Sequence, residues 1–207
     1  MYPERFSHLP EYAFPRLRAL LDGHNFVGPH YNMTIGEPQH LYPLWIKDVL
    51  LDHLDGFNRY PANDGIEKLQ TSIVDWFYRR FDVSLSSDKN ILPVNGTREG
   101  LYNVSMALCP EKLSDSQPFV LIPNPFYQVY MISALSVNSE PLFISTDEHS
   151  GHLPDYFGLK ADILNKTSAA YICSPSNPQG AVATADYLTA LIELAEKYDF
   201  IIFADEC

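Results

Sequence analysis

The chain has 207 residues, 46% of them apolar and 13% aromatic, a globular composition that excludes wholesale disorder. Its net charge of −12 argues against holding a phosphate backbone, so no nucleic-acid partner is expected. No apolar run reaches the roughly 18–20 residues of a membrane span and no signal-peptide block opens the chain. The three scattered cysteines, Cys109, Cys173 and Cys207, fit a reducing compartment, so no membrane association and a cytoplasmic location are expected.

In chain order, Pro3, Pro10, Pro15, Pro29, Pro38 and Pro43 interrupt regular structure except around residues 16–21, so residues 1–42 read as an extended arm. Ile46, Val49, Leu50 and Leu54 then repeat at helical spacing, as do Ile66, Leu69, Ile73, Trp76 and Phe77. Between them lies a turn cluster whose Asn63 or Asp64 is a candidate cap for the second helix. Strand and helix alternate from there: strand 91–94, a helix carrying Leu101, Val104 and Leu108, strand 119–122, helix 127–135 and strand 141–144. A polar loop over 145–155 leads to a short helix near 159–165, strand 169–173, a helix with Leu188, Leu191, Ile192, Ala195 and Tyr198, and strand 201–204. The last strand is apolar on both faces, as in a sheet covered on both sides. The expected fold class is α/β, a mostly parallel sheet with helices on both faces, preceded by the arm. A buried strand followed by almost nothing reads as a chain cut short at its carboxyl end.

Four strand ends lead into polar or turn-rich segments, where open α/β sheets bind ligands. The first, Asn95-Gly96-Thr97-Arg98, runs through glycine into a helix amino end that favours an anion, with a hydroxyl and a cation beside it. Taken alone, such a turn is more often a tight connection. The second, Asn124-Pro125-Phe126-Tyr127 with Tyr130, delivers aromatic rings that stack on a planar ligand or simply pack a helix start. The third, Ser174-Pro175-Ser176-Asn177-Pro178-Gln179-Gly180, holds an amide either for a ligand oxygen or for its own turn. The fourth is Asp205, a carboxylate costly at the end of an apolar strand unless paired; its plainer role is to cap a following helix. His149 and His152 lack a third ligand nearby, so no metal site is expected. No Walker-type loop, G-x-G-x-x-G or G-x-S-x-G occurs.

Together these segments resemble the fold-type I pyridoxal-phosphate aminotransferases of class I/II. The resemblance runs over nearly the whole chain: Ile35-Gly36-Glu37-Pro38, Tyr60-Pro61 with Gly65 and Leu69, Asn95-Gly96-Thr97-Arg98, Pro125-Phe126-Tyr127, Ser176-Asn177-Pro178-Gln179-Gly180 and Ala204-Asp205-Glu206. It implies a pyridoxal 5'-phosphate cofactor, with Asp205 paired to the pyridine nitrogen, Asn177 donating to the phenolic oxygen and Tyr127 stacked on the ring. Gly96, Thr97 and Arg98 would hold the phosphate, and Tyr60 would reach the phosphate of a partner subunit in a homodimer. Gly36 would bring a backbone N–H to the substrate carboxylate, where a side chain would collide. Residues 43–207 would form the cofactor-binding large domain, truncated at its carboxyl end, and residues 1–42 the arm with a small-domain segment.

Two departures stand out. Cys207 occupies a place where the family commonly has an aliphatic residue, and the tyrosine expected next lies beyond the chain. None of Lys47, Lys68, Lys89, Lys112, Lys160, Lys166 and Lys197 matches the Schiff-base lysine, which is expected beyond Cys207, as is the arginine that clamps the substrate carboxylate. The chain alone is therefore not expected to transaminate. The resemblance implies transfer of an amino group between an amino acid and a 2-oxo acid. The arm (14–21 and 35–40) looks most like succinyldiaminopimelate aminotransferases of lysine biosynthesis, with 2-oxoglutarate as acceptor. The alternatives are an aspartate- or aromatic-type aminotransferase, a carbon–sulfur lyase on the same fold, or a non-catalytic regulatory module.

Overall fold

The structure, a computed structural model, describes residues 3–206 apart from 26, 30, 32 and 35. Contacts divide the chain into two units, one of Met1–Leu9 with Val94–Cys207 and one of Pro10–Pro93. This grouping leaves untested the division at residue 42 expected for the complete protein.

The first unit is built on a parallel sheet of four strands: β1 (Phe119–Asn124), β2 (Glu140–Ser145), β3 (Thr167–Cys173) and β4 (Ile201–Asp205), in the order β2-β1-β3-β4. The helices are α4 (Thr97–Leu108), α5 (Gln128–Ser136), α6 (Ala161–Leu164) and α7 (Ala185–Tyr198), after α1 to α3 of the other unit. Because side chains alternate along a strand, the central strands feed two cores. Val120, Ile122, Ala169 and Tyr171 pack with Tyr130, Met131 and Ala134 of α5 and with Leu101 and Val104 of α4. Leu121, Ala170 and Ile172 face the other way, onto Tyr156, Leu164 of α6 and Leu191 and Ala195 of α7. Both faces of β1 and β3 are thus dry, which explains their unbroken apolar runs. The Thr184 side chain caps α7, accepting from the Tyr187 amide at 3.2 Å.

The second unit holds α1 (Ala13–Leu21), α2 (Trp45–Asp52), a 3-10 turn (Leu54–Asn58) and α3 (Glu67–Phe81), none of which buries a residue. Gly65 has φ +84°, and a Cβ there would lie 2.7 Å from Pro93 Cγ, so both backbone hand and space call for glycine. No helix is long and apolar enough to cross a membrane among the described residues.

Two expectations give way. Residues 91–94 are not a strand: no strand pairs with them among the described residues, and Pro93 has no N–H to offer a ladder. Neither Asn63 nor Asp64 caps α3; Ile66 holds that position without a side-chain cap, and the Asp64 carbonyl instead accepts from Gln70 Nε2 at 2.8 Å. By contrast, β4 meets the expectation of a strand apolar on both faces: Phe203 packs into one core and Ile202 against the other.

Candidate active site

The sheet order places the site. From β1 the chain moves through α5 to one side, and from β3 through α7 to the other, so the segments leaving β1 and β3 diverge. Such a reversal leaves a crevice at the carboxyl ends of the strands. A cavity of about 220 Å³ opens there, lined among others by Thr97, Tyr127, Tyr130, His152, Cys173, Asn177 and Asp205. Four residues singled out from sequence, Thr97, Tyr127, Asn177 and Asp205, therefore share one space. Gly96 and Arg98 line an adjoining open depression with Asn95 and Glu99.

Asp205 ends β4 beside Cys173 of β3 and is only 8% exposed. A carboxylate that deep needs a donor, and the Tyr130 hydroxyl supplies one, donating to Asp205 Oδ2. Burial, and then the Asp205 carboxylate, push the Tyr130 phenol well above its ordinary pKa, so it stays a donor. Tyr130 stacks on Tyr171 with ring centroids 4.3 Å apart and planes 16° from parallel. The Tyr171 hydroxyl donates to the Leu101 carbonyl at 2.9 Å and lies 2.7 and 2.9 Å from the Ser105 and Ser133 hydroxyls. These buried polar groups tie α4, α5 and β3 together beneath the cavity.

Tyr127 stands at the N-cap of α5, one turn before Tyr130, and its ring meets that of Tyr130 edge to face at 5.8 Å. Arg98 Nε donates to the Tyr127 hydroxyl at 2.6 Å, joining the start of α4 to the start of α5. Thr97 is the first residue of α4, where the opening turn of a helix favours an anion.

The turn after β3 is closed by Ser176, not by Asn177. Gly180 N donates to the Ser176 carbonyl (2.6 Å) and Ala181 N to Ser176 Oγ (2.9 Å). Among the described residues the Asn177 amide has no hydrogen-bond partner, so the self-satisfied turn is not its role here. Gln179 Nε2 donates to Thr146 Oγ1 at 2.9 Å, linking this turn to the segment after β2. The Tyr187 hydroxyl of α7 donates to the Pro154 carbonyl at 2.6 Å, behind the cavity wall that Pro154 and His152 form. The Asn124–Pro125, Ser174–Pro175 and Asn177–Pro178 peptide bonds are cis.

Other sequence candidates lie elsewhere. Tyr60 and Gly36 belong to the second unit; Tyr60 is fully exposed, and a Cβ on Gly36 would meet no atom within 4 Å. Ile35 and Cys207 fall outside the described residues. Among the described residues no lysine lines the cavity and no cluster suits a metal ion. Sequence reading leaves Tyr130 between stacking on a ligand and packing a helix start, and misses its bond to Asp205. The signal was present: Tyr127 and Tyr130 are three apart at a helix start, hence on one face.

The donor set fits pyridoxal phosphate: a buried carboxylate for a ring nitrogen, an aromatic wall, an amide for a phenolic oxygen, and a helix start for a phosphate. It is a cradle without a reacting amine.

The comparisons agree with that chemistry. The family model "Aminotransferase class I and II" matches residues 30–207. An LL-diaminopimelate aminotransferase of Dehalococcoides mccartyi is 28% identical over 205 residues, covering 98% of this chain and 52% of the relative. A crystal structure of an aminotransferase from Neisseria meningitidis superposes with a TM-score of 0.89 at 31% identity, over 99% of this chain and 52% of that one. An aminotransferase from Helicobacter pylori follows at TM-score 0.86 and 31% identity, over 97% and 52%. The chain thus spans about half the length of the relatives it matches. With the matched segments carrying the cavity residues themselves, the chain belongs to the class I and II aminotransferase family.

Proposed function

We propose that the complete protein is a pyridoxal-phosphate-dependent aminotransferase that moves an amino group between an amino acid and a 2-oxo acid, with this cavity as the cofactor's cradle. The observation that carries this reading is the convergence of Asp205, Tyr127, Asn177 and Thr97 on one cavity at the carboxyl ends of the sheet. When bound, pyridoxal phosphate supplies the electron sink that makes an amino acid's α-proton labile. Asp205 would pair with the pyridine nitrogen, Asn177 would donate to the phenolic oxygen, and Tyr127 would flank the ring. Thr97, Gly96 and Arg98 would neutralise the phosphate at the start of α4. The lysine that takes the α-proton, the arginine that clamps the substrate carboxylate, and Gly36 beside it complete the proposed machinery. Tyr60 would act across a homodimer, in the cytoplasm.

For the donor, we infer a diaminopimelate-type amino acid in lysine biosynthesis. The name of the Dehalococcoides relative supports that class; the succinylated form rests only on the likeness of the arm. The test is to purify the complete protein with cofactor and offer succinyldiaminopimelate, LL-diaminopimelate, aspartate and an aromatic amino acid, each with 2-oxoglutarate. The highest kcat/KM is expected for succinyldiaminopimelate. Preference for LL-diaminopimelate corrects the succinyl assignment alone, and preference for aspartate or an aromatic donor overturns the donor class. Cofactor binding without turnover of any donor overturns the aminotransferase reading and favours a regulatory module.

A further inference from the structure

We propose that Tyr130 is a positioning residue for the cofactor, acting through Asp205: its hydroxyl fixes one carboxylate oxygen and so sets how the carboxylate meets the pyridine nitrogen. The inference rests on the cofactor reading above.

The geometry carries it. Asp205 is the last residue of β4, beside Cys173 of β3, and its carboxylate is buried. Tyr130, only 1% exposed, donates to Oδ2 from the adjoining helix. The tyrosine is itself immobile, because its ring stacks on Tyr171, whose hydroxyl is anchored to α4 and α5. The titratable groups facing this pair are Tyr127 on α5, Tyr171 and Cys173 on β3, and Arg98 on α4 through the Tyr127 hydroxyl. Burial keeps the Tyr130 proton in place, so the hydroxyl cannot become a second anion beside Asp205 at working pH.

The arrangement also economises on parts. Tyr127 and Tyr130 sit one turn apart, so the first turn of α5 would define both the ring's face and the direction of its nitrogen partner. A rigid support of this kind is what a tuned electrostatic contact requires. Without the hydroxyl, the carboxylate is freer to rotate and pairs less well with the ring nitrogen. The ring then carries less positive charge, and its neighbouring groups become less acidic.

The test uses the complete holoprotein with Tyr130→Phe, which keeps the ring stacked on Tyr171. Cofactor affinity should fall about tenfold, the scale of one hydrogen bond to a charged group. The pH midpoint of the bound cofactor's visible absorption should rise by about half a unit or more. Ser105→Ala removes one of the three anchors of the Tyr171 hydroxyl and leaves the Tyr130 bond to Asp205 in place, so it should lower the melting temperature and move that midpoint much less than Tyr130→Phe. Placing 3-fluorotyrosine at position 130 keeps the donor in place at nearly the same size but draws more charge from the carboxylate, so the midpoint should move up while cofactor affinity is held, a readout that survives even if the Phe variant fails to fold. Wild-type affinity and midpoint in the Phe variant, or no movement with fluorotyrosine, would overturn the inference. A midpoint moved equally by Ser105→Ala would reduce Tyr130 to a packing role and overturn it too. A wild-type protein that does not bind pyridoxal phosphate defeats the cofactor reading itself, an outcome visible before any variant is compared.

Discussion

Helices α3 and α5 carry similar amounts of apolar side chain and meet opposite fates. The fifteen residues of α3 include Ile73, Trp76 and Phe77, yet none of them is buried. The nine residues of α5 bury Tyr130, Met131, Ser133 and Ala134. The difference lies in what each unit offers as a partner surface. Around α5 there is a sheet whose alternate residues form a continuous apolar face; around α3 the aromatic contacts come largely from its own side chains, Trp76 with Phe77 and Phe81. Apolar spacing makes a helix plausible, but a sheet or a second helix must supply the burial that stabilises it.

That contrast can be broken by matched truncations. In this chain, Leu121→Ala beneath α7 should cost about 2–5 kcal/mol, measured by urea unfolding, because it opens a cavity in a dry core. Next, Tyr171→Phe should cost about 1–3 kcal/mol, since it strips three buried groups of a shared partner. Leu50→Ala in α2, half exposed, should stay within about 0.5 kcal/mol. Equal losses for Leu50 and Leu121 would show that the two units are buried alike and dissolve the comparison.

Alkaline pH sharpens it from another direction. Tyr130, Tyr156, Tyr171 and Tyr187 all have raised pKa values, chiefly through burial, and all belong to the sheet unit. The folded state holds these protons more tightly than the unfolded chain, so their contribution is complete below the unfolded tyrosine value of about 10 and is lost as pH rises above it. Unfolding free energy should therefore fall with pH from about 10 upward. Tyr156→Phe should make that decline shallower, whatever it does to stability at neutral pH. A decline that begins at neutral pH, or one unchanged by the substitution, would separate alkaline loss from these phenols.

Sequence and structure agree most where chemistry is local. The central strands, the helices between them and the polar ends of β1, β3 and β4 were legible because period and punctuation sit within a few residues of each other. Strand 91–94 was misjudged because a strand exists only with a partner, and pairing is not a local property. At the site, Tyr127, Asn177 and Asp205 were readable as strand-end residues, Thr97 as the start of a helix, and all four through the family resemblance. The link between Tyr130 and Asp205 spans 75 positions of sequence, and only the sheet order brings them together. Asn63 and Asp64 were reasonable caps by residue type, but α3 starts at Glu67, with Ile66 at the N-cap.

The bond from Tyr187 to the Pro154 carbonyl has a practical reach. It fastens an outer helix, which contributes no residue to the cavity lining, to the wall that presents His152 and Pro154. The shape of the cavity wall can thus be changed from the far side of the sheet, where no screen of lining residues would look. A library aimed at reshaping this cavity should include α7 alongside the lining, because the latch that holds the wall is set from outside it.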